Sequence, residues 1–290
     1  MSEKEVLEIL GEKIYLGKSA TVNFKVAKLH TQNRIDVPVI IERSKKPGPT
    51  VLITAGIHGD EINGVEIVRQ IIAKGINKPR KGTIICIPVI NVFGFIHMDR
   101  EFPDGRDLNR VFPGSKSGSL ASRVAYKLMK EVVPYVDLIL DFHTGGADRF
   151  NAAQIRIDKK NSDLIELAKI FGPPFLFYSK NLKKSFRYSC QKLGKPLLLF
   201  EGGKSFHINN SITNSGVNGT KRVLSHLGML APKFKVSRPR KDCVVIESSK
   251  WIRAHYSGMF RAVVKVNTEV NKGDILGHIT DPYGSFNPVS

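Results

Sequence analysis

Short apolar runs rich in β-branched residues alternate with segments of helical period from Ile35 to Val236, which predicts an α/β core built on a mixed sheet. The runs at 37–41, 50–55, 83–90, 137–142, 154–157 and 197–200 are expected to be strands. Between them Ile62, Val65, Val68 and Ile72 recur on one helical face, and Leu120, Val124 and Leu128 do the same in a helix behind a Ser-rich cap region. Each face can cover the sheet. After the basic, Pro-containing stretch 233–240 the pattern turns to consecutive β-like runs at 243–247, 251–256, 260–266 and 275–280, with no helical segment between them. Residues 1–235 are therefore expected to form one α/β domain and 236–290 a small β-rich domain, too short for a sizeable core of its own.

Composition narrows the class. With 41% hydrophobic and 24% charged residues in 290, the chain is neither disordered nor fibrous. No run approaches the roughly 18 apolar residues of a membrane span, so no membrane association is expected. The opening Met-Ser-Glu-Lys-Glu is acidic where a secretory signal needs a basic start, and it lacks the Arg-rich bias of a transit peptide; a cytoplasmic location is expected. Cys86, Cys190 and Cys243 form no CxxC pair and support neither a disulfide framework nor a thiolate zinc site.

Charge is the figure out of line. Lys+Arg 45 against Asp+Glu 26 gives +19, a field that attracts anions. The basic residues sit in short clusters at 43–46, 78–81, 180–187 and 233–241, which read as solvated loops. No zinc finger, RNP-like strand or continuous basic face with interleaved aromatics accompanies them, so nucleic acid is not expected as a partner.

The sharpest local feature is Gly56-Ile57-His58-Gly59-Asp60-Glu61, between an apolar strand and an amphipathic helix, where α/β sheets bind ligands. An imidazole and a carboxylate three residues apart can converge on one metal ion; the bland alternative is a capping Asp60 and an exposed Glu61 in the first helical turn. A second strand ends in Asp141-Phe142-His143-Thr144-Gly145-Gly146. His58, Glu61 and His143 together would leave one zinc position open for water, as catalytic sites do, and Asp141 shares the strand face of His143, from which it could orient the imidazole. Glu201, after the apolar run Leu197-Leu198-Leu199-Phe200 and before Gly202-Gly203, is a carboxylate that poor solvation would tune for proton transfer. The loop from Met98 to Gly114 adds Asn109 and Arg110, able to hold a carboxylate, and Arg100, able to face an oxyanion.

Taken in order, GIHGDEING, DGRDLNRVFPG, DFHTGG and FEGG resemble the succinylglutamate desuccinylase and aspartoacylase family, relatives of the zinc carboxypeptidases, over about residues 35 to 230. The resemblance implies a phosphorylase/hydrolase-like α/β fold with one zinc per chain on His58, Glu61 and His143. It also implies Glu201 as general acid/base, Asn109 and Arg110 as the grip on the substrate carboxylate, and Arg100, with Arg106 close by in sequence, as the oxyanion arginine. The activity implied is hydrolysis of a small anionic N-acyl amino acid, and in the family the C-terminal domain supplies the contacts of a homo-oligomer, a state the sequence itself does not specify. The tail, with Gly258-Met259-Phe260-Arg261 and residues 269–277, is similar to the first half of a lipoyl-like β-domain, and a shortened domain is expected since Ser290 comes before a second set of strands. The substrate-facing Tyr that family members take from this region falls on Tyr256 or Tyr283. Two other readings are a metallocarboxypeptidase using the same zinc site and Asn-Arg clamp, and a non-catalytic basic binding protein on the same scaffold.

Overall fold

In the computed structural model, which describes residues 6–239 and 242–284, the apolar runs expected between residues 37 and 200 supply strands of one nine-stranded mixed sheet. The first five residues, read above for a targeting signal, Arg240 and Lys241 of the last basic cluster, and residues 285–290 lie outside the described residues. Contacts divide the chain into two units, Met1–Glu247 and Ser248–Ser290.

The first unit begins with a hairpin, β1 (Val6–Ile9) and β2 (Glu12–Tyr15), followed by β3 (Ser19–Lys28) and β4 (Arg34–Arg43). Then come β5 (Thr50–Ala55), α1 (Ile62–Ala73), β6 (Thr83–Ile87), α2 (Val92–His97), α3 (Leu120–Glu131), β7 (Leu138–Gly145) and β8 (Asn151–Ile157). The remainder is α4 (Ser162–Phe171), β9 (Phe175–Tyr178), α5 (Phe186–Lys192), β10 (Leu197–Lys204), α6 (Asn210–His226) and β11 (Val244–Ile246). The sheet runs β11-β9-β8-β10-β7-β5-β6-β4-β3. Its centre, β10, β7, β5 and β6, is parallel; β4 joins β6 and β8 joins β10 antiparallel.

Period-two alternation assigns the central strands to two cores, one on each face. Val51, Ile53, Leu138, Leu140, Phe142, Leu198 and Phe200 pack with residues of α1, α4 and α6. Leu52, Ile85, Ile139 and Leu197 face the other way, with residues of α3 and α5. The buried stripe of α1 is Asn63, Gly64, Ile67, Val68 and Ile71, so the expected face through Ile62, Val65 and Ile72 is rotated by about one position. The helix presses its small and branched residues onto the strands, and an added Cβ at Gly64 would fall 2.5 Å from Phe142 O.

In the stretch after 235, Val244–Ile246 pairs in parallel with β9 at the edge of the main sheet and belongs to the first unit. The second unit holds an antiparallel pair, β12 (Met259–Ala262) and β13 (Gly277–Thr280). The run 251–256, expected as a strand, forms none among the described residues, and Trp251 and Ile252 are exposed.

Candidate active site

The three central parallel strands β5, β7 and β10 end side by side, and each delivers one element of the site. Beyond β5 the chain turns sharply at Gly56, whose φ of +64° favours glycine, and a Cβ there would meet Val89 Cα at 2.9 Å. Three residues on, Gly59 lies against α2, where a Cβ would stand 1.8 Å from Gly94 C. This tight passage swings His58 and Glu61 back over the sheet end. Glu61 becomes the N-cap residue of α1 yet makes no capping bond, because its carboxylate is spent elsewhere. It is 3% exposed, which rules out the solvated first-turn carboxylate.

Glu61 bridges the two imidazoles. Oε1 lies 2.7 Å from His58 Nδ1 and Oε2 2.9 Å from His143 Nδ1, and Oε2 also accepts from Thr144 N at 3.0 Å. Each far nitrogen meets a second carboxylate: His143 Nε2 lies 2.9 Å from Asp141 Oδ2, and His58 Nε2 lies 3.0 Å from Asp107 Oδ1. Asp141 is itself held by Thr54 Oγ1, which donates to it at 2.7 Å. Burial alone would push Glu61 upward, but the two imidazoles reverse this and hold it well below the ordinary carboxylate range. Burial likewise presses His143 toward neutrality, and Asp141 and Glu61 outweigh it, holding the imidazole well above the usual histidine value.

One nitrogen from each imidazole and one Glu61 oxygen lie within 4.8 Å of one another, with all three residues buried. Two imidazoles and a carboxylate, with a carboxylate on the far nitrogen of each ring, are the donor set and outer support of a three-ligand site for a divalent ion such as zinc. The residues therefore fit a metal. A cation entering here replaces protons on the imidazoles, so its binding strengthens as pH rises.

A cleft of about 420 Å³ opens over this cluster, lined by His58, Glu61, His143, Arg100, Asn109, Arg110 and Glu201 among others. Glu201, opposite His143 in the β10–β7 register, is largely buried, and burial raises its carboxyl above the ordinary value. Arg100 donates to Asp107 Oδ2 at 2.9 and 3.2 Å and to Glu61 Oε1 at 3.3 Å. Arg106, its neighbour in sequence, is instead exposed, outside the cleft and 3.7 Å from Asp104. Asn109 is fixed from two sides, its backbone N–H donating to Asp107 Oδ1 at 2.7 Å and its side-chain oxygen accepting from Phe186 N at 2.8 Å. The three residues expected to hold the metal, together with Glu201, Asn109, Arg110 and Arg100, thus line one cleft.

Sequence reasoning passed over Asp107, Asn151, Arg149 and Arg156, and it placed Arg187 in a solvated basic loop, whereas Arg187 lies in α5, largely buried and facing the cleft. Asp107 lies inside DGRDLNR, but nothing in the sequence ties it to His58, 49 residues away. The arginines carried no signal, since only the fold brings the loop before β8, β8 itself and α5 to the cleft. Arg187 is pushed down to about 10 by burial first and by Arg156 next. Tyr256 and Tyr283 are exposed residues of the second unit.

A family model for the succinylglutamate desuccinylase/aspartoacylase catalytic domain matches residues 47–227. The N-alpha-acetyl-L-2,4-diaminobutyric acid deacetylase of Halomonas elongata is 26% identical over 257 residues, covering 84% of this chain and 74% of that protein. Among solved structures, a succinylglutamate desuccinylase/aspartoacylase from Rhodobacter sphaeroides superposes with a TM-score of 0.83 at 22% identity, over 98% of this chain and 90% of the other. The product-bound ectoine utilization protein EutE (DoeB) of Ruegeria pomeroyi gives 0.83 at 21% identity, over 100% and 90%. At these identities the two structures establish the fold.

Proposed function

This chain belongs to the succinylglutamate desuccinylase/aspartoacylase family, and from that premise we propose that it is a zinc-dependent hydrolase cleaving the amide bond of an N-acyl amino acid. The observation that carries the reading is the convergence of His58, Glu61 and His143 beneath a cleft that Glu201, Asn109 and Arg110 also line. The deacetylase activity in the name of the Halomonas relative supports the reaction class.

His58, Glu61 and His143 would hold the ion, which when bound supplies Lewis acidity toward the amide carbonyl and brings a water's pKa toward about 7. Asn109 and Arg110 grip the free carboxylate of the amino acid, the guanidinium by charge and the amide by a directed bond. Glu201 takes the proton of the attacking water and returns it to the departing amine. Arg100, anchored on Asp107, presents positive charge to the oxygen that becomes anionic. The products are a carboxylate and a free amino acid. The cleft lies inside the cell on this reading, and its substrate is a small anion.

A panel of N-acetyl and N-succinyl amino acids, incubated with zinc-loaded protein and read by amine release, tests this. Release of the amino acid from at least one member is expected. Release of C-terminal residues from peptides, with no turnover of N-acyl amino acids, would replace the proposal with a carboxypeptidase.

A further inference from the structure

The strand beside Glu201 grips it from both sides. In the antiparallel pairing of β10 with β8, Leu199 stands opposite Arg156, Glu201 opposite Gln154, and Gly203 opposite Asn151. From Glu201 to Gly203 is two residues, but from Gln154 to Asn151 is three, so β8 carries a bulge. In regular pairing Asn151 would share the face of Ala153 and Ile155, which are buried in the core on the far side of the sheet. The bulge brings it round to Glu201, and Asn151 Nδ2 donates to Glu201 Oε1 at 2.6 Å.

On the other side Arg156 Nε lies 2.7 Å from Glu201 Oε2, with the guanidinium 5.3 Å from the centre of the Phe177 ring. This contact is one of charge, because Arg156 Nε makes no directed hydrogen bond. A carboxylate offers about four lone-pair directions. Asn151 takes one on Oε1, and Oε2 keeps its own for a proton.

We propose that Arg156 is a positioning residue for proton transfer: with Asn151 it fixes the rotamer of the Glu201 carboxylate while leaving Oε2 able to accept the proton. This rests on Glu201 being the general base. Nothing in the backbone ladder requires the pair, since β8 and β10 are already held by their own hydrogen bonds.

The test compares Arg156→Gln, Arg156→Lys and Asn151→Ala with the parent chain, all zinc-loaded. Arg156→Gln should lower kcat about ten- to hundredfold, the scale of a misplaced catalytic group, with KM within about twofold and metal content unchanged. Arg156→Lys should recover part of the loss, and Asn151→Ala should lower kcat in the same sense. A raised KM at unchanged kcat would make Arg156 a substrate-binding residue and overturn the inference, as would an unaltered kcat. Carbodiimide labelling of Glu201, read by peptide mass spectrometry, needs no turnover. Labelling should be several-fold faster in Arg156→Gln, because the paired carboxylate is released. Unchanged labelling overturns the clamp. Faster labelling in a protein that hydrolyses no N-acyl amino acid would support the clamp and remove the reading of the site.

Discussion

At the scale of single residues, the proposed general base, Glu201, makes the most direct predictions. Burial raises its carboxyl above the ordinary range, opposed by Arg156, and a base works only when ionised. Activity should therefore fall as pH drops through that raised value. The acidic limb of kcat/KM should lie above the ordinary carboxylate pKa of about 4.3, and a limb at or below it would mean the cleft does not perturb Glu201. Glu201→Gln should cost about 10²- to 10⁴-fold in kcat with metal content unchanged, the usual worth of a positioned acid/base group. Retained turnover would remove Glu201 from the mechanism. Both carboxylates on the imidazoles' far nitrogens show what a sequence can and cannot disclose. Asp141 was legible because strand periodicity puts it on the face of His143. Asp107 was not, because its contact with His58 spans 49 residues and a loop of irregular course.

At the scale of elements, the strands were the most legible part. Val51 to Ala55 and the strand ends bearing His143 and Glu201 follow from apolar runs stopped by polar residues and glycine. The rotated face of α1 was less so, because Asn63 and Gly64 are buried there by packing and by hydrogen bonds rather than by hydrophobicity: Asn63 Nδ2 donates to His207 O at 2.7 Å and Lys204 O at 3.1 Å. The bulge in β8 was invisible, since register is a property of two strands and not of one. The run 251–256 read as a strand because Trp, Ile and Tyr suit one, yet β-propensity is decided by context and these residues take no strand in the structure. The turn between β5 and α1 makes a sharper claim. Gly59→Ala places a methyl group on the backbone of α2, and forced overpacking of this kind costs about 1–3 kcal/mol. A clear fall in melting temperature is expected, together with weakened metal binding, because His58 and Glu61 flank the displaced residue. An unchanged melting temperature would show that α2 yields freely.

The whole molecule explains the charge only in part. Five arginines line the cleft against the three carboxylates of Glu61, Asp107 and Glu201, so the site shares the positive sign of the chain. The clusters at 43–46 and 78–81 meet in a separate groove near the starts of β5 and β6, at the opposite end of these strands from the cleft, and act on a substrate through the field alone. Such attraction is screened over about 10 Å at 0.1 M salt. For an anionic substrate kcat/KM should fall as ionic strength rises, chiefly through KM, whereas a salt-independent value would assign no steering to the +19 net charge. On the function proposed, two histidines and a glutamate from two strand ends form one metal centre. Elemental mass spectrometry of the purified protein, with His143→Ala prepared alongside, tests it most directly. The expected result is about one zinc per chain, lost in the variant; no metal after zinc is supplied, or the same metal content in both proteins, would contradict it.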